Sequence, residues 1–413
     1  MDLFVRAGRR DNLVIEELVA PATAGVQLGR RVPFRGVVVD APTAVAQPHL
    51  REAAEAAGLP FLVDPLTTLL QDVQAPDDSW ATLPFAHSEA ITPEDLESGA
   101  MQDELIDRSV RFQLEHGASV ITPPYFFAKD PDDPWFAIQL NINRRTAAYL
   151  AQEGISVPVA PVLAASVRRF GTQASWPLGV DRFMQSTDGM NVRHVGLALS
   201  ASRPTNGDTE DRISAYLSTV AHLASRMPVM AWRQGQYGLA AVAAGALGYQ
   251  TGPGTDERCD LTNLARNRRP KPADAKPSAF GTTKFVYSAL FGRSFPERVV
   301  EALLENRYTR GTIVCEDSAC CPDGGSSMLD AWRQHALRSR GRQLDEISVM
   351  PGTAWRLNAI ATQADHAATV ARTANQVLED AGVRERVPER SFRSLATVTE
   401  AMREHAVRRA TSA

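Results

Sequence analysis

Short, unbroken apolar runs alternate with amphipathic stretches along most of this chain. A strand that is buried on both faces of a parallel sheet reads as such a run, and the amphipathic stretches between runs are typical of covering helices. The pattern predicts an α/β protein whose fold is a (β/α)8 TIM barrel. The eight predicted strands cover residues 36–40, 60–64, 118–122, 157–163, 194–199, 227–232, 246–251 and 311–315.

The segments before and after the predicted strands differ from the barrel in their sequence patterns. Strand-like runs at 13–15 and 26–28 come before the first predicted strand, and the chain from Ser327 onward is helical in pattern and rich in Ala and Arg. The 413 residues exceed the roughly 250 that one barrel needs. We therefore predict an N-terminal lead-in over 1–35, the barrel over 36–326 and a C-terminal helical extension over 327–413.

Composition and charge restrict the cellular location of the protein and the classes of partner that it can bind. The net charge of −4 gives no general attraction to nucleic acid, although a local basic groove is compatible with it. No run of about 18 apolar residues is present, and the N-terminus lacks the basic-then-apolar order of a signal peptide. These features predict a cytoplasmic protein with no membrane partner. The sequence leaves open whether the chain forms a homodimer.

Two aspartates close neighbouring predicted strands. Asp40 ends the strand at 36–40, and Asp64 ends the strand at 60–64. Active sites of TIM barrels lie where the strands end, and like charges at short range push two pKa values apart, so the pair can supply an acid and a base. The alternative is that each aspartate only caps a helix or binds a loop.

Other polar residues lie at or beyond the ends of the fifth to seventh predicted strands. Arginine can pair with a phosphate or carboxylate, glutamine and tyrosine can read a base edge, and a Gly-Pro-Gly turn exposes backbone that can approach a ligand. Alternatively, they are the ordinary polar residues and turn formers of a barrel mouth. The candidate substrate-binding residues are Arg203, Arg233, Gln234, Gln236, Tyr249, Gln250, Gly252 and Gly254.

A basic, proline-rich stretch follows the seventh predicted strand. It contains Arg266, Arg268, Arg269 and Lys271. Clustered cations of this kind can track a nucleic-acid backbone with salt-sensitive affinity. Alternatively, this stretch is only a solvated charged loop.

Three of the four cysteines are clustered near the predicted end of the barrel. Cys315, Cys320 and Cys321 are followed by His335, and the glycine-rich segment after Cys321 allows a turn. Thiolates and an imidazole are preferred ligands of Zn²⁺, and a disulfide scaffold is improbable in a large cytoplasmic chain. The sequence predicts a structural zinc site here. Alternatively, one cysteine is simply buried and His335 is a surface residue.

In the order of its units, the chain resembles the tRNA-guanine transglycosylase family, including the relatives that place 7-deazaguanine bases in DNA. Residues 60–64 stand where that family has a strand ending in its substrate-contacting aspartate. The helical unit after Thr92 and the strand near Thr122 resemble the next unit, and residues 227–254 resemble the segment that carries the nucleophile. The clustered cysteines before an Arg-rich helix resemble the family's zinc segment.

The resemblance implies base exchange or N-glycosidic chemistry on a purine-type base or nucleotide in DNA or RNA. Asp64 would contact the base or move a proton, and Asp40 would assist. The family's nucleophilic aspartate falls on Gln250, and an amide cannot form a covalent sugar intermediate. Asp256 or Asp260 would have to replace it.

Two alternatives to this function remain. The first is a non-catalytic nucleic-acid-binding derivative that kept the barrel and the basic loop but lost the nucleophile. The second is a flavin- or phosphate-dependent TIM-barrel enzyme that uses the turn at Gly252 and Gly254.

Overall fold

The computed structural model describes residues 1–23, 32–72, 78–170, 176–200, 209–254, 257–267 and 283–412. Its strands are β1 (Asp2–Ala7), β2 (Gly36–Asp40), β3 (Phe61–Asp64), β4 (Phe127–Ala128), β5 (Val162–Ser166), β6 (Val195–Ser200), β7 (Val229–Ala231), β8 (Gly248–Thr251), β9 (Phe285–Ser288) and β10 (Arg293–Pro296). The helices up to residue 243 are α1 (Asn12–Thr23), α2 (Ala41–Ala46), α3 (His49–Ala56), α4 (Asp78–Ala81), α5 (Gly99–Glu115), α6 (Pro134–Gln152), α7 (Val167–Phe170), α8 (Trp176–Ser186), α9 (Glu210–Ala224) and α10 (Gly238–Ala243). The later helices are α11 (Leu261–Asn267), α12 (Glu297–Glu305), α13 (Arg307–Ile313), α14 (Gly325–Asp330), α15 (Trp332–Ser348), α16 (Thr353–Asp380) and α17 (Glu389–Ser412).

The large sheet is parallel and curls into a barrel. Its strand order is β3-β2-β1-β8-β7-β6-β5-β4. Parallel bridges from Leu62 to Val120 and from Ile121 to Val159 continue the pairing from β3 to the residues just before β5. Strand pairing therefore runs around the ring, and the predicted TIM-barrel fold is confirmed.

The structure corrects the first and last predicted strands. β1 is a barrel strand that lies between β2 and β8, inside the predicted lead-in. Residues 311–315 are not the eighth strand, because most of them belong to α13, which Asn306 caps by accepting hydrogen bonds from the backbone amides of Tyr308 and Thr309. The run at 13–15 is part of α1, and the run at 26–28 lies outside the described residues.

The barrel interior changes from apolar to polar along the strands. Buried side chains of the first layer form one cluster, which contains Phe4, Val38, Leu62, Val120, Ala160 and Met230. Side chains that are two residues apart on a strand share a face. The next layer toward the strand ends therefore places Arg6, Asp40, Asp64 and Trp232 over this cluster.

A second core supports the C-terminal helical extension. It includes Val286 and Phe295 of the β9-β10 hairpin, Val299 of α12 and Ala371 of α16. The predicted helical extension is confirmed, and its core begins before residue 327. Within the described ranges, none of the helices combines the length and the apolar character needed to cross a bilayer.

Candidate functional site

Arg6 is the centre of a polar network at the C-terminal ends of the barrel strands. Its Nη2 donates to Asp40 Oδ1 at 2.8 Å and to Asp64 Oδ2 at 2.6 Å. Its Nη1 donates to Gln250 Oε1 at 2.8 Å, and its guanidinium lies 5.5 Å from the ring centroid of Trp232. The parallel register places Asp40 beside Asp64, which explains why one cation reaches both carboxylates.

Asp64 is completely buried in this network. Beyond the contact with Arg6, its Oδ1 accepts hydrogen bonds from the hydroxyl of Tyr125 at 2.9 Å and from the backbone amide of Leu66 at 3.0 Å. Burial, and then the neighbouring Asp64 charge, raises the pKa of Tyr125 well above its usual value, so the phenol stays a donor. The contacts hold Asp64 in one orientation.

Asp40 lies nearer the solvent, with 15% of its side chain exposed. Its Oδ1 also accepts a hydrogen bond from Arg233 Nη2 at 2.7 Å, and the same nitrogen lies 3.8 Å from Asp64 Oδ2. Arg233 has a left-handed backbone conformation with φ of 53°, which is uncommon for a residue other than glycine. Strain of this kind persists where surrounding contacts hold it, and here it directs a cation at two carboxylates.

Gln250 on β8 brings an amide to the same network. Its Oε1 is held by Arg6, whereas its Nε2 is buried without a hydrogen-bond partner among the described residues. A buried donor without a partner costs about 1–3 kcal/mol. An acceptor atom that reaches Nε2 would recover that cost.

The structure therefore joins four of the predicted site residues, Asp40, Asp64, Arg233 and Gln250. Sequence reasoning missed Arg6 and Tyr125. Arg6 was missed because β1 was assigned to a lead-in, although its place on an apolar strand was a usable signal. Tyr125 lies after the bridge residues 120 and 121, and only the fold brings its hydroxyl to Asp64.

Other predicted substrate residues point away from this network. Tyr249 packs on the barrel wall, where a Cβ on Gly238 would lie 2.3 Å from the tyrosine ring. Gln236 donates to the hydroxyl of Tyr237 and accepts from Arg258 Nε. Gln234 Nε2 donates to the carbonyl oxygen of Leu199 at 3.2 Å.

The turn after β8 is buried, contrary to the prediction of an exposed backbone. Gly252 and Gly254 are both buried. A Cβ on Gly254, whose φ is 133°, would lie 2.4 Å from the ring of Trp332. The glycine is required there by the approach of α15.

Of the two candidate replacement nucleophiles, Asp260 has a structural contact. Its Oδ1 accepts a hydrogen bond from the backbone amide of Asn263 at 2.9 Å, which caps α11. Arg266 lies in the last turn of α11 and is exposed. The remaining candidates lie outside the described residues; they are Arg203, Asp256, Arg268, Arg269 and Lys271.

A second cluster, in the C-terminal extension, brings together the predicted metal ligands. Ligand atoms of Cys315, Cys320, Cys321 and His335 all lie within 4.8 Å of one another, and all four residues are buried. The backbone carbonyl of Asp317 accepts hydrogen bonds from the amides of Cys320 and Cys321, which folds the turn between the first and second thiols. Three thiols and one imidazole form the donor set that a tetrahedral metal ion requires.

The hydrogen bonds of His335 orient it as a ligand. Its Nε2 lies 2.9 Å from the carbonyl oxygen of Tyr287, so this nitrogen carries the proton and donates. Nδ1 then holds the lone pair, and it lies 3.3 Å from Cys321 Sγ and 3.5 Å from Cys320 Sγ. Hydrogen bonds from the Cys320 and Cys321 thiols lower the pKa of Cys315, whereas the contacts with Cys315 raise the pKa values of Cys320 and Cys321, so one thiolate is shared by the three cysteines.

The helix that carries His335 also contacts the barrel mouth. Arg340 is fully buried on α15, where it forms an ion pair with Glu257 and lies 4.0 Å from the ring centroid of Tyr287. Its Nη1 donates to the carbonyl oxygen of Gly235 at 2.9 Å. Gly235 follows Arg233 by two residues, so α15 is joined to the loop that supplies a cation to the aspartates.

No family model and no curated protein sequence matches this chain. Similar solved structures include the carboxyl transferase domain of Rhizobium etli pyruvate carboxylase with pyruvate, at a TM-score of 0.36 and 11% identity; the match covers 98% of this chain but only 62% of that one. Another is a dihydrodipicolinate synthase family protein from Coccidioides immitis, at a TM-score of 0.30, 12% identity and coverage of 99% and 96%. At these TM-scores the similarities identify neither a family nor an activity.

Proposed function

We propose that this protein is a TIM-barrel enzyme that binds a purine-type base at the barrel mouth and acts on its N-glycosidic bond in nucleic acid. One observation carries the proposal. Arg6 holds a partly exposed carboxylate, Asp40, and a buried amide, Gln250, whose Nε2 has no partner among the described residues. Asp40 thus offers a hydrogen-bond acceptor and Gln250 offers a donor, and both are held by the Arg6 guanidinium.

The two groups match the edge of a guanine-like base. Its ring and exocyclic N–H groups would donate to the Asp40 carboxylate, and its carbonyl oxygen would accept from Gln250 Nε2. Arg6 and Arg233 fix the orientation of Asp40, because both donate to its Oδ1. Asp64 serves as the buried anchor that fixes Arg6, so its role is positional and not that of a proton carrier.

The bond-breaking step needs a further carboxylate. Attack of a carboxylate oxygen on the anomeric carbon would form a sugar ester while the base leaves with the bonding electrons, and the incoming base would reverse the step. Gln250 cannot perform it, and Asp260 caps α11. Asp256, in the segment after β8, is the carboxylate that we propose for this role.

We also propose that the Cys315, Cys320, Cys321 and His335 cluster binds zinc. The four ligands would fill a tetrahedral coordination sphere, so the zinc would be structural, with no open position for catalysis. Zinc binding would influence the barrel by way of α15, because this helix carries both the ligand His335 and Arg340, which contacts the barrel mouth.

A base-exchange assay tests the proposal. Purified protein is incubated with labelled guanine, or a 7-deazaguanine base, and either tRNA or duplex DNA, and incorporation is measured for wild type, Asp256→Asn and Asp188→Asn. Asp188 is exposed at the end of α8 and serves as the matched control. We expect incorporation by wild type and the control only. Absence of exchange in wild type with every nucleic acid would reject the enzyme.

A non-catalytic nucleic-acid-binding protein is the second candidate. It is favoured by the amide at Gln250 and by the capping role of Asp260, since neither is a nucleophile. This reading predicts salt-sensitive nucleic-acid binding that weakens when Arg266 is replaced by Gln, with no exchange under any condition.

A further inference from the structure

A pocket lies at the rim of the barrel mouth, where the turn after β3, the strand β4 and the helix α11 meet. Its volume is about 400 Å³, which is within the range of small-molecule sites. The turn over Thr67–Gln71 supplies Thr68, β4 supplies Phe127 and α11 supplies Leu261. We refer to this space as the α11 pocket. It shares no lining residue with the network around Arg6.

The α11 pocket is partly lined by aromatic rings. Trp135, in the first turn of α6, is half-buried, and its ring stacks on Phe126 with centroids 4.7 Å apart and an interplanar angle of 24°. Phe127 lines the same pocket and is fixed by Gln71, which donates to its carbonyl oxygen and accepts from its backbone amide. These held aromatic side chains offer a surface on which the flat ring of a ligand can stack.

Thr68 provides a second observation, which is independent of the aromatic lining. Its side chain is 6% exposed, and its Oγ1 is buried without a hydrogen-bond partner among the described residues. The neighbouring Thr67 differs, because its Oγ1 both donates to the carbonyl oxygen and accepts from the amide of Tyr125. Buried hydroxyls are normally paired, so the Thr68 hydroxyl indicates a position where a polar ligand atom can bind.

The α11 pocket contains charges of both signs. Lys129 carries the only positive charge among the described lining residues, whereas Asp72 and Asp133 are acidic. Asp133 caps α6, because its Oδ1 accepts from the amide of Trp135 and its Oδ2 accepts from the amide of Lys129. Each carboxylate oxygen has two acceptor positions, so Asp133 can still accept a hydrogen bond from a ligand. A matching ligand therefore carries both an anionic and a cationic group.

We infer that the α11 pocket binds an aromatic α-amino acid. The ring of the ligand would stack on Trp135, and its ammonium group would donate to Asp133. Its carboxylate would pair with Lys129 and accept a hydrogen bond from the Thr68 hydroxyl. A ligand with only one of the two charges would leave either the lysine or the aspartate without a partner.

Calorimetric titration of the full chain with L-tryptophan tests this inference. We expect one saturable site per chain, with affinity reduced about tenfold or more in Thr68→Val and in Lys129→Gln, because each variant loses a hydrogen bond to a charged group. Thr68→Val keeps the shape of the side chain, and Lys129→Gln keeps the backbone amide that binds Asp133, so both separate ligand binding from folding. Arg144→Gln removes a positive charge at an exposed position of α6 outside the pocket and should bind as wild type does.

Two analogues test the assignment of an amino acid. Tryptamine lacks the carboxylate and indole-3-propionate lacks the ammonium group, so each should bind more weakly than L-tryptophan. Equal affinity for either analogue would overturn the pairing of both charges. No saturable binding of tryptophan, tyrosine or phenylalanine, or equal binding by wild type and both pocket variants, would overturn the site itself. Neither result depends on base exchange, which uses residues outside the α11 pocket.

Discussion

Arg340 on α15 donates to the carbonyl oxygen of Gly235, and this contact at 2.9 Å fastens the C-terminal extension to the barrel mouth. The same guanidinium forms an ion pair with Glu257 and is itself completely buried. Removing one partner of a buried pair leaves an uncompensated charge. Arg340 therefore contributes both to stability and to the position of the loop that carries Arg233.

We expect Arg340→Met to lower the free energy of unfolding by about 3 kcal/mol, since Glu257 loses its partner and the Gly235 carbonyl loses a donor. Urea unfolding measures the change. Arg372→Met on α16 is the control, because Arg372 forms an exposed pair with Glu389 and should cost under about 1 kcal/mol. Equal effects of the two substitutions would contradict the structural role of Arg340.

The cysteine cluster predicts a bound metal. Elemental analysis of protein purified without added metal should find about one zinc per chain, and Cys320→Ser should lose it together with thermal stability. Cys259→Ser is the matched control, because Cys259 is also buried but lies outside the cluster. It should retain zinc. If the wild type contains no metal and is unaffected by chelators, the cluster is only a packed group of thiols.

Because the His194 imidazole is buried, we expect the protein to lose stability in mild acid. Burial lowers the pKa of His194 to about 3, and neither ring nitrogen has a hydrogen-bond partner among the described residues. Below pH 6.5 the unfolded chain takes up a proton that the folded chain refuses, so stability falls as pH decreases toward 3. The slope is about 1.4 kcal/mol per pH unit.

His194→Leu removes this group and tests the argument. Between pH 7 and pH 5 the variant should gain about 2 kcal/mol of stability relative to wild type, measured by urea unfolding at each pH. His366→Leu, at an exposed position on α16, should follow the wild-type pH dependence. A His194→Leu variant with the same pH dependence as wild type would show that the histidine is not held neutral by burial.

Much of the barrel was predictable from the sequence because its parallel strands are buried on both faces. The two exceptions are β1 and residues 311–315. β1 was missed because its apolar run is short, from Leu3 to Val5, and is bounded by the charged Asp2 and Arg6. Arg6 is tolerated inside the barrel because two aspartates pair with it. Residues 311–315 were misassigned because a short β-branched run cannot be distinguished from a buried helix by periodicity alone.

In the candidate site, too, some features were predictable from the sequence and others were not. The strand-end rule correctly placed Asp40 beside Asp64, and cysteine spacing correctly predicted the cluster with His335. The partners of these residues were not predictable. The Tyr125 hydroxyl reaches Asp64, and the Tyr287 carbonyl orients His335, only because the fold joins distant parts of the chain.

Direct titration with guanine tests the central claim, that Asp40 and Gln250 read a purine-type base. Wild type should bind guanine at one site, and Asp40→Asn and Gln250→Met should each weaken binding about tenfold or more, because each removes a hydrogen bond to the base. Asp188→Asn should bind as wild type does. If guanine and 7-deazaguanine bases do not bind to wild type, or if both variants retain its affinity, the barrel mouth is not a base-binding site.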